Sequence, residues 1–359
     1  MALTNAVAGL TPQQWDDQYF TSYVRANQFA QYMGTSENSL IQVKEDLTKK
    51  PGDSVTFALV NDLAGAGVTG TTALEGAEEA LGSRSFKQTV SYFRNGVAVH
   101  EWDEQKSAID LRNAAKPQLK TWSVKKLRTD IITALNSING TAYGSASEGT
   151  KDAWLVDNAD RVLFGAAKSN NASNDHSAAL TQIDSTNDKL TKTNLSLARR
   201  ILKQASPTIR PIMLDDGTEW YVAFAPSAAF RDFKADMAST LSSAEVRGKD
   251  NPLFKDGDLI WDGIIVREIP EMTVIADVGN GGTVDVGAVK ICGAQSLACA
   301  WAMRPTSRTE MRDYGSVHGV ALAECRGIGK MQFGKGATDL DDLVDHGIFT
   351  FYVSAEPDA

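Results

Sequence analysis

The chain has 359 residues, 42% of them apolar and 23% charged, and a formal net charge of −9 from 36 basic and 45 acidic side chains. That length suits two domains or one elaborated domain, with enough apolar material for a sizeable core. The acidic balance argues against a surface built to hold a nucleic-acid backbone or an anionic membrane, because both need basic patches. Along the chain, Thr11-Pro12 reads as an N-cap with proline at the first helical position. It opens a helix through Trp15, Tyr19, Tyr23 and Val24 that Gly34 can end. Pro51-Gly52-Asp53 is a turn signal, and residues 54–60 form a β-type run with rough alternation. A small, polar tip follows, Gly65-Ala66-Gly67-Val68-Thr69-Gly70, then an acidic stretch with Glu75, Glu78 and Glu79. A second alternating run occupies residues 85–99. Residues 51–99 thus read as a two-stranded excursion with little apolar surface for a core of its own, which needs a partner to stay ordered.

Residues 107–138 read as the longest helix. Ser107 and Asp110 resemble a capping box. Ile109, Leu119, Trp122, Leu127, Ile131, Leu135 and Ile138 form its apolar stripe, and Gly140 closes it. At about 30 residues it is about 45 Å long, and Pro117 is expected to kink or divide it. Residues 141–189 turn small and polar and read as loops or an insertion around an apolar patch at 154–164. Thr193 is expected to cap a helix through Leu195, Ala198, Ile201 and Leu202, which Pro207 and Pro211 break. Strands are expected at 219–224, at 259–269 with a break at Asp262-Gly263, at 284–291, at 319–326 and at 348–354. Helices are expected at 226–237, through Phe230, Phe233 and Met237, and at 293–303, a small apolar run. Helices and strands mix without regular βαβ alternation, so the class is α+β.

Several motifs fail on context. Gly65, Gly67 and Gly70 fit G-x-G-x-x-G, but the segment after them is acidic and the next strand carries Lys87 and Arg94 instead of an acidic end. A loop tip is the better reading. Gly329, Gly334 and Lys335 fit G-x-x-x-x-G-K, but Gly336 stands where a Mg²⁺-binding hydroxyl belongs; a strand end and a basic turn fit better. The histidines (His100, His176, His318, His346) are scattered, and the Cys292–Cys299 spacing is not that of a zinc site. Asp339, Asp341, Asp342 and Asp345 lack the order of a calcium loop and read as a solvated acidic turn. No nucleophile, base and oxyanion donor assemble, so neither an enzyme nor a cofactor is expected. Cys292, Cys299 and Cys325 are an odd number in a long chain, so a reducing compartment is the default and the sequons at Asn139, Asn171 and Asn194 carry no meaning. No stretch approaches the roughly 20 apolar residues of a membrane span, and residues 1–10 lack the features of a secretory signal.

Lys50-Pro51-Gly52-Asp53-Ser54-Val55-Thr56-Phe57, followed by Gly65 to Gly70 and Leu74-Glu75-Gly76, resembles the extended-loop region of tailed-phage major capsid proteins of the N4-like group. Further matches follow in order. Ile109-Asp110-Leu111-Arg112 to Trp122 is similar to the start of that group's spine helix. Arg210-Pro211 to Tyr221-Val222 is similar to its central strand pair. Gly248-Lys249-Asp250-Asn251-Pro252-Leu253-Phe254 with Trp261-Asp262-Gly263 is the most specific string. Gly293-Ala294-Gln295 to Trp301, and Asp313-Tyr314-Gly315 to Arg326-Gly327-Ile328, complete it.

The resemblance implies the Hong Kong 97-type phage capsid fold. Its parts would be an N-terminal arm (1–50), an extended loop (51–99), a spine helix of the peripheral domain (100–140), a polar insertion (141–190), an axial domain (191–305) and peripheral return strands with the C-terminus (306–359). It implies self-assembly into hexamers and pentamers of an icosahedral shell around double-stranded DNA, in the virion and built in the host bacterial cytoplasm. Portal, scaffolding and decoration proteins are the implied partners; no membrane is implied. The short N-terminus suggests that no large processed domain precedes the shell subunit. By position, Gly65, Gly67 and Gly70 would let the loop tip conform to a neighbour, and Glu75, Glu78, Glu79, Arg84 and Arg94 would pair across subunits. In some relatives a lysine and an asparagine link subunits covalently; no such set is assigned here. Alternatives are an encapsulin-like shell of the same fold and a nucleotide-binding enzyme using the Gly65–Gly70 loop.

Overall fold

The structure is a computed structural model that describes residues 27–48, 51–60, 68–70, 83–107, 111–214, 217–238 and 258–358. Most of the expected N-terminal helix, the string Gly248–Phe254, and Gly65, Gly67, Glu75, Glu78 and Glu79 lie outside the described residues; where its expected end is described, Ala30–Tyr32 is a single 3-10 turn and Gly34 lies in a strand and does not cap a helix. The first strands are β1 (Met33–Gly34), β2 (Ile41–Lys44), β3 (Ser54–Val60), β4 (Ser83–Thr89) and β5 (Ser91–His100). Helices α1 (Glu101–Lys106), α2 (Leu111–Asn136) and α3 (Glu148–Asp157) come next, then β6 (Val162–Phe164), α4 (His176–Leu180) and α5 (Lys192–Gln204). After β7 (Ile212–Met213) and β8 (Glu219–Ala225) comes α6 (Ser227–Asp236). The chain closes with β9 (Leu259–Trp261), β10 (Ile264–Glu268), β11 (Val274–Ile275), β12 (Val286–Cys292), β13 (Leu297–Arg312), β14 (Val317–Lys330), β15 (Gln332–Gly334), β16 (Leu343–Asp345) and β17 (Ile348–Ser354).

Two sheets dominate. The larger runs β6-β17-β12-β8-β10-β9, with β11 beside β12 and β7 beside β8. Every residue of β12 and β17 is buried, because both faces of this sheet are covered. On one face lie Leu195, Ala198, Ile201 and Leu202 of α5 and Phe230 and Phe233 of α6, against Val289, Ile291, Phe349 and Phe351. On the other, Trp154, Leu155 and Leu180 pack on Val286, Ala288 and Tyr352. Each such side chain contributes about 1.5–3 kcal/mol on burial. The smaller sheet runs β1-β2-β13-β14-β5. Helix α2 joins the two: Leu127, Ile131 and Leu135 contact Leu297, Cys299, Trp301 and Leu322 of the smaller sheet, and the same cluster holds Val222, Phe224, Cys292 and Ile348 of the larger.

The α+β class and the strands at 219–224, 284–291, 319–326 and 348–354 match what the sequence suggests. The break at Asp262-Gly263 is a two-residue hairpin turn, with φ of 49° and 70° at those residues, the geometry that an Asp-Gly pair favours. Helix α5 is capped by Thr191 instead of Thr193.

Four expectations need larger correction. Residues 293–303 do not form a helix; they open the long strand β13. Leu297, Cys299 and Trp301 face α2 while Ala298 and Ala300 face β3, so both faces are apolar and the period of two is hidden. The helix expected from 107 does not begin there: a separate short helix, α1, ends just before it, and α2 starts at Leu111. Ser107 closes α1, its N–H donating to Asp103 O at 3.1 Å, and Ile109 and Asp110 lie outside the described residues. Helix α2 runs undivided through Pro117, which sits within its first two turns and forfeits one backbone bond there. Residues 141–190 are an integrated layer, not loops alone, with α3, β6 and α4 around a core of their own. The base of the 51–99 excursion also has a core within the chain: Val55, Phe57 and Leu59 pack on Ala298, Ala300, Met331 and Phe333.

Candidate assembly surface

The strand pair β3–β4 crosses one end of the smaller sheet on the face opposite α2. Its seat is made of very small residues. A Cβ at Gly327 would fall 2.0 Å from Thr89 O, and one at Gly329 would fall 2.0 Å from Gln88 Oε1. At Gly327 the obstacle is the Thr89 backbone, so no side chain larger than glycine allows this approach; at Gly329 it is the end of the Gln88 side chain. Phe86 and Phe333 meet edge to face at 6.5 Å between centroids.

The same sheet face continues outward with nothing on it among the described residues. Cross-strand pairing puts Arg94 beside Ala323, Gly96 beside Ala321 and Ala98 beside Gly319. On the other flank, Arg308 lies beside Ala321, Glu310 beside Gly319 and Arg312 beside Val317. The result is a trough of about 410 Å³ with a floor of Gly and Ala and walls of Arg94, Arg308 and Arg312. Arg312 pairs with Glu310 at 2.6 Å, on the trough's own rim. The reverse face exposes Val97 and Met311, and at the end of the arm Tyr314 and Trp102 are exposed. Tyr314 sits in the turn between β13 and β14 with φ of 50°. So much uncovered apolar surface on one element is the mark of an interaction site.

The residues expected to touch a neighbour fare differently. Gly70 has φ of 70° with open space around its Cα, a backbone state that favours glycine. Arg84 is engaged within its own chain: it donates to Gly336 O at 2.6 Å and lies 3.7 Å from Asp339. Arg94 is exposed on the trough wall, its guanidinium 5.9 Å from the Tyr92 ring. Arg308, Arg312, Met311, Trp102 and Tyr314 were not legible from sequence. The available signal was the alternation of small residues at Gly319, Ala321 and Ala323, which only cross-strand pairing connects to the arginines.

Buried charges tie the elements of the body together. Asp345 is no solvated turn residue. It accepts from Lys330 Nζ at 2.7 Å, Gln332 Nε2 at 2.7 Å and Trp154 Nε1 at 3.2 Å, fully buried. Burial, with Lys330 nearby, pushes the Lys290 ammonium down to about 7 against the pull of Asp345. Burial likewise lowers the His176 imidazole to about 4, although Glu148 opposes it. Arg326, also buried, bridges Glu324 on β14 and Asp130 on α2 at 3.0 and 2.8 Å. Losing one partner of such a set leaves a buried charge uncompensated, at a cost of about 3–5 kcal/mol. These groups are locked to one another inside the fold. The Gly329–Lys335 stretch is not a strand end and a basic turn: it is the end of β14 followed by the buried strand β15, which pairs with β16, and the Lys335 N–H donates to Asp341 O at 3.1 Å. Cys292 and Cys299 are buried and, like Cys325, free thiols.

The chain matches the family described as phage capsid protein over residues 4–356. It is 29% identical to a major capsid protein of Pseudomonas phage KPP25, over 97% of each chain. Its structure superimposes on a subunit of the cyanophage Pam1 capsid with a TM-score of 0.81 and 32% identity, covering 100% of both chains. The capsid of Ralstonia phage GP4 has the same fold, with a TM-score of 0.75, 20% identity and coverage of 93% of this chain and 92% of that one. The chain belongs to the phage capsid protein family, and its function is that of a structural protein of a bacteriophage shell.

Proposed function

We propose that the chain is the major capsid protein of a tailed bacteriophage and that its copies close into an icosahedral shell of hexamers and pentamers around double-stranded DNA. The observation that carries this is the contrast between a fully packed body and an arm whose faces are bare in one copy. Surface of that kind is completed by other subunits. In this reading the fold is of the Hong Kong 97 type and the chain is of the N4-like group of major capsid proteins. Residues 1–50 are the N-terminal arm, 51–99 the extended loop and 100–140 the region of the spine helix, α2. Residues 141–190 are an insertion, 191–305 the axial domain and 306–359 the peripheral return, with β17 going with the axial sheet because it pairs with β12. The protein has no catalytic role. The net charge of −9 keeps the subunit from adhering to the packaged genome. Portal, scaffolding and decoration proteins are its partners, and assembly takes place in the host cytoplasm.

The test is to express the chain and follow its size by sedimentation and negative-stain microscopy. Closed shells, or rings of five and six, are the expected result; a persistent monomer under all salt and scaffold conditions overturns the proposal. Deleting residues 64–71 should leave the body folded, with an unchanged thermal transition, and abolish closed shells. Normal shells from that deletion would remove residues 51–99 from the role of extended loop.

A further inference from the structure

We infer that Lys290 is a proton-operated lock where the two sheets and the 141–190 layer meet: with its amine neutral the joint is closed, and a proton on it loosens the joint. The lock belongs to the single subunit and does not depend on the shell reading above.

Three parts of the fold converge on this point. Lys290 lies on β12 of the larger sheet, on the same side as Val286 and Ala288, where the 141–190 layer packs. Lys330 ends β14 of the smaller sheet, Asp345 ends β16, and Trp154 comes from α3. Lys290 and Lys330 are 3% exposed and Asp345 1%, so water screens these charges little.

The charges at this joint are unequal. Asp345 is taken by Lys330, at 2.7 Å. The Lys290 Nζ donates instead to Thr350 Oγ1 at 3.1 Å, straight across the β12–β17 pair, and stands 5.9 Å from the Tyr352 ring. Among the described residues no carboxylate touches it. Two amines thus share one carboxylate. With both charged, one positive charge is left uncompensated in the interior; with Lys290 neutral, the site balances. The Thr350 hydroxyl suits either state, because it can accept from an ammonium or donate to a neutral amine.

The other groups around the site do not correct the imbalance. On the same strand, burial pushes the Cys292 thiol up to about 12. Burial also raises the Tyr352 hydroxyl well above its ordinary value. Both therefore stay neutral. Arg161 adds positive charge, its Nη1 donating to Asp345 O at 2.6 Å, and its carboxylate partner is Asp160. Glu148 on α3 faces His176 and Lys151, at 3.4 and 3.3 Å. His346 sets its ring against Phe333 at 5.1 Å.

The direction of control follows. Burial, and after it Lys330, lowers the Lys290 amine from 10.5 to about 7, against the pull of Asp345. Opening the joint returns the amine to water and to its ordinary range. Between those two values the closed joint binds fewer protons than the open one. Closure therefore strengthens as pH rises through that window, approaching tenfold per pH unit, and is weakest below about 7.

The test is amide hydrogen exchange on the full-length chain, read in peptides covering 284–292 and 343–352 and divided by the chemical exchange rate at each pH. Wild-type protection should rise about tenfold per unit between pH 7.5 and 9. Lys290→Met, which takes no proton, should be highly protected with no slope. Lys290→Arg, which keeps its charge, should be poorly protected with no slope. Should Lys290→Arg fail to fold, the wild type against Lys290→Met still decides. A flat wild-type profile overturns the lock, because the amine then keeps one charge state throughout. A slope that persists in Lys290→Met overturns it by placing the proton elsewhere. The same slope in residues 195–202 of α5 also overturns it, because the whole fold and not this joint would then be opening.

Discussion

The two sheets of this molecule meet on one helix and differ in almost everything else. In the larger, β12 and β17 have every residue buried, with helices on one face and the 141–190 layer on the other. In the smaller, β13 begins with five buried residues and ends with five exposed ones. The first sheet finishes its core inside one chain. The second does so only where α2 and β3–β4 cover it, and then continues into solvent. Exposure therefore marks the division between what makes the fold stable and what is left over for contact between copies.

The sharpest way to break this comparison is a cavity in the larger sheet. Phe351→Ala removes a fully buried ring and should cost about 3–5 kcal/mol in urea unfolding. A loss below about 1 kcal/mol would mean that this sheet is not the stability core. Acid probes the 141–190 layer next. The His176 imidazole is held at about 4 instead of 6.5 by burial, so the folded state resists its protonation. Stability from this group is complete above pH 6.5 and falls as pH drops to about 4, by about 3 kcal/mol at most. His176→Phe should flatten the unfolding profile across that window; an unchanged slope would show that His176 is free to ionise in the fold. The smallest effect belongs to the arm. Val97→Ser with Met311→Ser should leave monomer stability within about 0.5 kcal/mol, since these side chains face solvent, while lowering shell yield. A large stability loss would show that the arm's reverse face is packed within one chain.

The elements of the larger sheet were legible because β8, β17 and α6 carry apolar runs between Pro and Gly boundaries. Strand β13 was misread because small residues such as Ala298, Cys299 and Ala300 show no period when both faces are covered. Helix α2 was misjudged at its start because Ser107 closes a preceding turn as readily as it opens a helix. The loop base was found, but its core was missed: Val55, Phe57 and Leu59 depend on Met331 and Phe333, far along the chain. The trough was invisible for the same reason, since Arg94, Arg308 and Arg312 meet only through strand pairing. The family resemblance, carried by short collinear strings, located function before any of these contacts were known.

Along β13 the pairing with β14 slips twice, between Trp301 and Met303 and between Met303 and Thr306. Over that stretch one edge of the ribbon holds two residues more than the other, about 6.6 Å of extra contour length. A ribbon with unequal edges cannot lie straight; it bends and twists more tightly. Pro305, with no N–H to give, sits within the longer edge, where its missing donor costs least. The arm's departure from the body is therefore written in residue count, like the cut of a curved panel. Loosening side-chain packing would not straighten it; deleting residues from the longer edge would.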